Sequence, residues 1–170
     1  MERILVSACL IGWPVRFDGA ARTLHHPLLA EWAAEGRLVP LCPETAAGLA
    51  VPRPATEIEP GAEAAAVLAG EARIVDADGG DHTAAFREGA RIAVATARVR
   101  GCRFALLTDG SPSCGVDLVA DGTFSGRRRV GEGVTATALR AAGIEVFAAT
   151  DIDRLAACIA ETTARSAEDH

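Results

Sequence analysis

Residues 3–8 have the sequence RILVSA, a short apolar run that is rich in β-branched side chains, and Cys9 follows at once. Such a run predicts a strand that is buried on both faces, as strands are inside parallel sheets. A second run of this kind, RFALL at residues 103–107, comes after a long amphipathic segment that ends at Gly101. The two runs predict two buried strands, the second of them preceded by a helix.

The same patterns predict the other elements outward from these two strands. Strands are predicted at residues 37–41, 71–76 and 144–148, and helices at residues 26–35, 83–99, within 131–143 and at 151–165. The proline-rich residues 43–60 show neither the alternation of a strand nor the period of a helix, and they predict an extended surface loop. Residues 109–115 predict a turn, and residues 121–122 predict a hairpin or tight turn. The alternation predicts an α/β three-layer sandwich with a mostly parallel, Rossmann-like sheet, and a single domain over residues 1–170.

The composition narrows the class of protein. The chain has 170 residues, of which 49% are hydrophobic and 24% charged, so it has enough apolar surface to fold. Its net charge of −6 argues against a protein that binds a nucleic-acid backbone, because such a protein needs a basic surface. A small anionic ligand in a local basic pocket stays possible.

The residue types that are missing restrict the chemistry. All 17 basic residues are Arg, and the chain has no Lys and no Tyr, which excludes Schiff-base lysine and tyrosine acid catalysis. No segment approaches the roughly 20 apolar residues of a membrane span, and the apolar run before Cys9 is too short for an export signal. We therefore expect a cytoplasmic protein whose five cysteines stay reduced.

The predicted strands divide these cysteines into two groups. Cys9, Cys42 and Cys114 each follow a predicted strand, and the carboxyl ends of parallel strands share one edge of a sheet, where α/β folds bind ligands. Cys102 lies at the opposite edge and Cys158 lies within a helix, so both are interpreted as small buried apolar side chains.

Three convergent thiolates leave several interpretations open. They are either unrelated buried thiols, ligands of a zinc ion with one open position, or ligands of an iron–sulfur cluster. A structural zinc would want a fourth ligand, and the chain has no C-x₂₋₄-C spacing. A cubane cluster normally takes four thiolates, so three would leave one iron without a protein ligand.

Candidate catalytic groups lie beside two of these cysteines. Glu44 follows Cys42 by two residues, which places a general base for water near a bound metal. Ser111 and Ser113 precede Cys114 and either orient a polar ligand or satisfy the backbone of a tight turn.

Candidate binding residues lie in glycine-rich and arginine-rich segments. Arg16 and Asp18 belong to one loop and Arg53 to another, and the arginines there can line a pocket. The arginines at 127–129 come just before a glycine-rich helix start that includes Gly133, an arrangement suited to an anion such as phosphate.

Several ordered motifs together resemble the thiouracil desulfurase (TudS-like) family. They are VSACL (6–10), RFDG (16–19), CPE (42–44), DHT (81–83), SPSCG (111–115), DGTFSG (121–126) and GEGVTA (131–136). The resemblance covers nearly the whole chain. It implies a [4Fe-4S] cluster that is held by Cys9, Cys42 and Cys114 and has one iron not bound by protein.

The resemblance also implies roles for the neighbouring residues. Glu44 would be catalytic, and Ser111 and Ser113 would lie beside the substrate, a small-molecule thiopyrimidine. The predicted activity converts 2- or 4-thiouracil, or its nucleoside or nucleotide, to uracil and hydrosulfide. We expect no stable nucleic-acid binding and no membrane partner. The sequence leaves the oligomeric state open. Two alternatives are a non-catalytic iron–sulfur sensor or sulfur carrier and a zinc-dependent pyrimidine hydrolase.

The chain departs from the family pattern at two places. Relatives carry Lys shortly before the SPSCG motif, where this chain has Thr108, Asp109 and Gly110, and they carry an aromatic hydroxyl where Phe17 stands. We expect a lost cation and an added carboxylate near a cluster to alter its local potential and the choice of substrate.

Overall fold

The computed structural model describes residues 1–168. In chain order the elements are β1 (Arg3–Ser7), α1 (Pro27–Ala34), β2 (Leu38–Leu41), α2 (Pro43–Ala46), β3 (Thr56–Ile58), α3 (Ala64–Leu68), β4 (Ile74–Asp76), α4 (Thr83–Arg100), β5 (Cys102–Leu107), β6 (Leu118–Ala120), β7 (Arg128–Val130), α5 (Val134–Ala141), β8 (Glu145–Ala148) and α6 (Ile152–Glu168). Short 3-10 helices occupy Ala8–Ile11 and Ala149–Asp151.

Four strands form one parallel sheet in the order β2-β1-β5-β8. Val6 of β1 pairs with Pro40 on one side and with Leu106 on the other. Pro40 is tolerated because β2 is an edge strand, where one missing N–H donor breaks no ladder. The predicted mostly parallel sheet is confirmed, and the carboxyl ends of β2, β1 and β5 lie side by side.

Helices cover both faces of this sheet, which confirms the three-layer prediction. One face packs against α4 and α5 through Leu5, Val39, Ala105, Leu107, Ala93, Ala97 and Leu139. The other face packs against α1 and α6 through Ile4, Val6, Phe104, Leu106, Leu29, Trp32, Leu155 and Ile159. Within residues 1–168, every helix is too short or too polar to cross a membrane.

The region between β2 and α4 differs from the prediction. Residues 43–60 were expected to form one extended loop, and that expectation is wrong, because α2 and β3 both lie there. Pro43 begins α2, where a helix needs no N–H donor and the fixed φ of proline is favourable. β4 was expected within 71–76, but it pairs antiparallel with β3 outside the main sheet, and α3 was not predicted.

A hairpin or tight turn was predicted at residues 121–122, and the structure has a hairpin there, although its two strands were not predicted. β6 and β7 pair antiparallel on either side of that turn, so residues 128–130 form a strand instead of leading directly into α5. Three-residue strands carry too little periodicity to be predicted from a pattern alone.

The close contact between α4 and α2 sets the position of the residue after Pro43. Gly89 lies within α4, and a Cβ atom at that position would come 2.6 Å from the Pro43 carbonyl oxygen. Only a glycine lets the two helices approach this closely. The contact holds the first turn of α2, which carries Glu44, against the body of the protein.

Candidate active site

Three cysteines line one cavity of about 330 Å³ at the carboxyl edge of the sheet. Cys9 lies in the 3-10 helix after β1, Cys42 lies between β2 and α2, and Cys114 lies in the loop after β5. Cys102 begins β5 at the opposite edge of the sheet. Cys158 belongs to α6 and packs against the core. The structure therefore brings together the three cysteines that the strand-end argument grouped, and leaves the other two elsewhere.

Burial has the largest effect on two of these thiols, those of Cys9 and Cys114. It raises the pKa of Cys9, and the nearby Thr108 hydroxyl offsets that rise in part. The fully buried Cys114 has its pKa raised far above the ordinary value by desolvation, and the charges of Glu44, Cys9 and Cys42 add to the rise, against a lowering by Ser7. Three thiolates in this cavity require a strongly positive group among them, as a bound metal provides.

Glu44 is held in the cavity wall by Arg53. The Arg53 Nε donates to Glu44 Oε2 at 2.7 Å, and Nη2 lies 2.6 Å from the same oxygen. Further N–H groups of Arg53 donate to the carbonyl oxygens of Val15 (3.0 Å) and Ala50 (3.1 Å). The side chains of Arg53 and Glu44 are 8% and 14% exposed, so this is a buried ion pair. Ser111 Oγ donates to Glu44 Oε1 at 3.4 Å.

The loop that carries Cys114 is organised by two side chains. The Asp109 carboxylate accepts hydrogen bonds from the backbone N–H groups of Gly110, Val116, Asp117 and Leu118, at 2.9–3.2 Å. Burial pushes the pKa of Asp109 upward, but these donors outweigh it and leave the pKa below its ordinary value. Ser111 Oγ accepts from the N–H groups of Ser113 (3.0 Å) and Cys114 (3.2 Å). The Asp109 charge therefore serves the fold of the loop.

The structure brings only some of the predicted site residues into the cavity. Arg16, Glu44, Arg53 and Ser111 line it together with the three cysteines. Three other predicted residues do not lie among its lining residues. Asp18 accepts from the Ala20 N–H in a loop turn, and Ser113 is buried with its hydroxyl 2.9 Å from Thr135 Oγ1.

Gly133, the third of these, packs behind the Cys114 loop. A Cβ atom on Gly133 would lie 2.3 Å from the Ser113 carbonyl oxygen. The N–H groups of Gly133, Val134 and Thr135 donate to the carbonyl oxygens of Gly115, Pro112 and Ser113. The free N–H groups at the start of α5 thus donate to the Cys114 loop. They are therefore not available to bind an anion at the site that the sequence predicted there.

Comparison with known proteins identifies the family. A family model described as 2-thiouracil desulfurase matches residues 4–151. The chain belongs to this family. An uncharacterized protein of Bacillus subtilis (strain 168), YbbK, is 37% identical over 150 residues, which cover 88% of this chain and 97% of YbbK.

A solved structure has the same fold. A [4Fe-4S]-dependent thiouracil desulfidase, TudS, matches with a TM-score of 0.86 and 40% sequence identity, over 94% of this chain and 99% of that chain. These comparisons confirm the family resemblance that the motifs carry and the α/β fold that the alternation of strands and helices predicted.

The donor set of this desulfurase-family chain fits an iron–sulfur cluster better than a single zinc ion. Tetrahedral zinc holds its sulfur ligands about 3.8 Å apart, given its Zn–S bonds of roughly 2.3 Å. In residues 1–168, no three His, Cys, Asp or Glu side chains gather closely enough to hold one metal ion. A cluster spans a wider space and takes thiolates as its ligands. The buried Thr108 hydroxyl, which finds no hydrogen-bond partner in residues 1–168, adds an unused polar group to the same cavity.

Sequence reasoning did not single out Ser7, Arg22, Glu57 or Thr108, which line the cavity, and it assigned Arg128 to an anion site at the start of α5 instead of to this cavity. Ser7 ends β1 and Thr108 follows β5, so the strand-end argument that found the cysteines would also have found them. Arg22, Glu57 and Arg128 come from a loop and two short strands whose paths no pattern predicted.

The lining of the cavity carries positive charge from three arginines, of which Arg22 also donates to the Asp109 carbonyl oxygen at 2.9 Å. None of Arg16, Arg22 and Arg128 forms a salt bridge within residues 1–168. Glu57 faces the same cavity, but its Oε1 accepts from the N–H groups of Gly122 and Phe124, at 3.0 and 3.3 Å. The arrangement can attract an anionic group although the chain as a whole is acidic.

Proposed function

We propose that the chain is a [4Fe-4S]-dependent desulfurase that hydrolyses a thiolated pyrimidine to uracil and hydrosulfide. One observation carries the proposal: Cys9, Cys42 and Cys114 share a cavity with a buried, oriented carboxylate, Glu44, in a member of the 2-thiouracil desulfurase family. The reaction exchanges a ring sulfur for an oxygen of water, so it needs no electron donor. Reduced thiols are required, which favours a cytoplasmic location.

Cys9, Cys42 and Cys114 would hold the cluster. When bound, the cluster supplies an iron without a protein ligand, a Lewis acid suited to the sulfur of a C=S group. Glu44 and Arg53 lie on the wall of the same cavity, so a substrate placed there would have the carboxylate beside its ring.

Glu44 would act as the general base. Its carboxylate takes a proton from a water molecule as the water oxygen bonds to the ring carbon. Glu44 then passes this proton to the sulfur, and the C–S bond breaks with its electron pair on sulfur, which leaves as hydrosulfide. The remaining proton of the water is released to solvent as the ring C=O bond forms, so Glu44 returns to its carboxylate form. Arg53 holds one carboxylate oxygen and Ser111 the other, so the base keeps a fixed orientation.

The unpaired arginines favour a substrate that carries a phosphate group. Arg16, Arg22 and Arg128 line the cavity, and a guanidinium group binds a phosphate with two parallel hydrogen bonds. A free thiouracil has no phosphate group that these arginines could bind. We therefore infer that a thiopyrimidine nucleotide is the preferred form among the free base, the nucleoside and the nucleotide.

An anaerobic assay of 2- and 4-thiopyrimidines as bases, nucleosides and nucleotides tests the proposal. The reconstituted protein should be brown with about four irons per chain, and it should release hydrosulfide and the oxo-pyrimidine in equal amounts. Glu44→Gln should keep the iron and lose turnover. A colourless protein with one zinc per chain would contradict the cluster, and sulfur released only to a partner protein would favour a carrier.

The choice of substrate has its own matched control. Arg128→Leu should raise KM for the nucleotide and leave KM for the free base unchanged. Arg127→Leu, at the exposed neighbouring position outside the cavity lining, should change neither. Equal KM values for the base and the nucleotide in the wild type would remove the phosphate from the proposal.

A further inference from the structure

Thr108 carries a buried hydroxyl without a hydrogen-bond partner. The residue is 9% exposed, and its Oγ1 is inaccessible and unpaired within residues 1–168. Buried polar side chains nearly always have a partner, and one without a partner destabilises the fold. Such an atom beside the cysteines of a cavity indicates an acceptor that becomes available only when the cavity is occupied.

The backbone fixes the direction of this side chain. Thr108 directly follows β5, and its N–H donates to Ser7 Oγ at the end of β1, at 3.0 Å. These two strands are neighbours at the centre of the sheet, so the residue is anchored in a rigid part of the fold. Its side chain lines the cavity together with Cys9 and Cys114.

The Cys9 sulfur is an acceptor that lies beside this hydroxyl in the same cavity. Thr108 Oγ1 lies against the Cys9 thiol, where it offsets part of the effect of burial, but it completes no hydrogen bond of ordinary geometry with it. A neutral thiol is a weak acceptor, whereas a thiolate is negatively charged and accepts strongly. The hydroxyl gains a good acceptor only when Cys9 is deprotonated by a bound metal.

We propose that Thr108 is a positioning residue whose hydroxyl donates a hydrogen bond to the Cys9 thiolate in the cluster-bound protein. The inference rests on the proposed function, because it requires a cluster on Cys9. Hydrogen bonds to ligand sulfur stabilise the reduced state, which carries more negative charge, and so raise the reduction potential. Thr108 thereby makes the iron bound through Cys9 more electron-poor.

Thr108→Val tests this inference because valine has the shape of threonine without its hydroxyl. In the anaerobic, reconstituted protein, the variant should bind as much iron as the wild type and have a more negative reduction potential. At a fixed applied potential, the ratio of reduced to oxidised cluster should fall about five-fold, the factor expected for one net hydrogen bond. Thr108→Ser should keep the wild-type potential. Thr163→Val, whose hydroxyl bonds to the Ile159 carbonyl on α6, should leave it unchanged.

A second measurement separates this role from a structural one. In the cluster-free protein Thr108→Val should be as stable as the wild type or more stable, since it removes an unpaired buried hydroxyl. A potential equal to that of the wild type, or a loss of iron from the variant, would overturn the inference and leave the proposed function standing. A wild-type protein that binds no cluster would overturn both.

Discussion

Replacing Arg53 by Met should destabilise the protein and disorient its carboxylate. Arg53 and Glu44 are both buried, and the substitution leaves Glu44 without the N–H groups at 2.6 and 2.7 Å. Removing one partner of a buried ion pair costs about 3–5 kcal/mol. For a chain of this length each kcal/mol lowers Tm by about 2–4 °C, so Tm should fall by roughly 6–20 °C.

A double-mutant cycle isolates the part of this loss that comes from the pair. Glu44→Gln removes the negative charge and leaves Arg53 its bonds to the carbonyl oxygens of Val15 and Ala50. The double variant has no buried carboxylate without a partner. In the Glu44→Gln background, Arg53→Met should therefore lower the free energy of unfolding by about 2 kcal/mol less than it does in the wild type. Urea unfolding of the four proteins at equal cluster content gives the coupling free energy.

The matched control is an ion pair of the same length on the surface. Arg91 lies 2.6 Å from Glu88 on α4, and both side chains are well exposed. Arg91→Met should therefore leave Tm almost unchanged. The reasoning would be refuted if Arg53→Met had the same Tm as Arg91→Met. It would also be refuted if the double variant lost as much free energy of unfolding as the two single variants together. Arg53→Met should also lower kcat while the iron content stays full.

Three further predictions concern the ligands, the Cys114 loop and its packing. Single Ser substitutions at Cys9, Cys42 or Cys114 should each lower the iron content, whereas Cys102→Ser and Cys158→Ser should keep about four irons per chain; iron lost from either of the last two would refute the grouping. Asp109 has a lowered pKa in the folded protein, so its stabilisation is complete above the unfolded pKa of about 3.9 and disappears as pH falls through the folded value. Asp109→Asn should thus be less stable than the wild type at pH 7 by urea unfolding, with a deficit that shrinks toward pH 3; a constant deficit would contradict the assignment. Gly133→Ala should lower the free energy of unfolding by about 1–3 kcal/mol, because its Cβ would lie 2.3 Å from the Ser113 oxygen. A variant with wild-type Tm would show that the Cys114 loop shifts to make room without loss of stability.

The strand-end argument predicted that Cys9, Cys42 and Cys114 come together because it depends only on strands long enough to have a pattern. β1 and β5 are buried apolar runs, and the residue or loop after each was placed correctly at one edge of the sheet. The partner of Glu44 was not predictable in this way. Arg53 lies nine residues further on, and the two side chains meet only because α2 forms within the proline-rich region and packs on Gly89.

The start of α5 illustrates a second limit of sequence reasoning. A glycine-rich helix start predicts an anion site only if its N–H groups are free, and here the chain itself supplies the acceptors. No local pattern shows that Pro112 and Ser113 return to this helix. The composition left room for a local basic pocket, but the arginines that line the cavity come from separate loops and strands, so no single stretch of sequence indicates them.

The three cysteines come from three adjacent strands, β2, β1 and β5, so the candidate ligand geometry is a property of the sheet. A C-x₂-C motif can hold a metal with one local turn, but parallel neighbours are joined only by crossovers through the rest of the fold. The candidate ligands therefore come together only when the sheet has formed, and a cluster that bound the folded state alone would stabilise the whole sheet by mass action. Unfolding of the cluster-bound protein should then be one cooperative transition in which absorbance and far-ultraviolet circular dichroism change together. Loss of the cluster well before the sheet unfolds would show that the Cys114 loop opens independently, and that the four N–H bonds on Asp109 are too weak to couple the loop to the core.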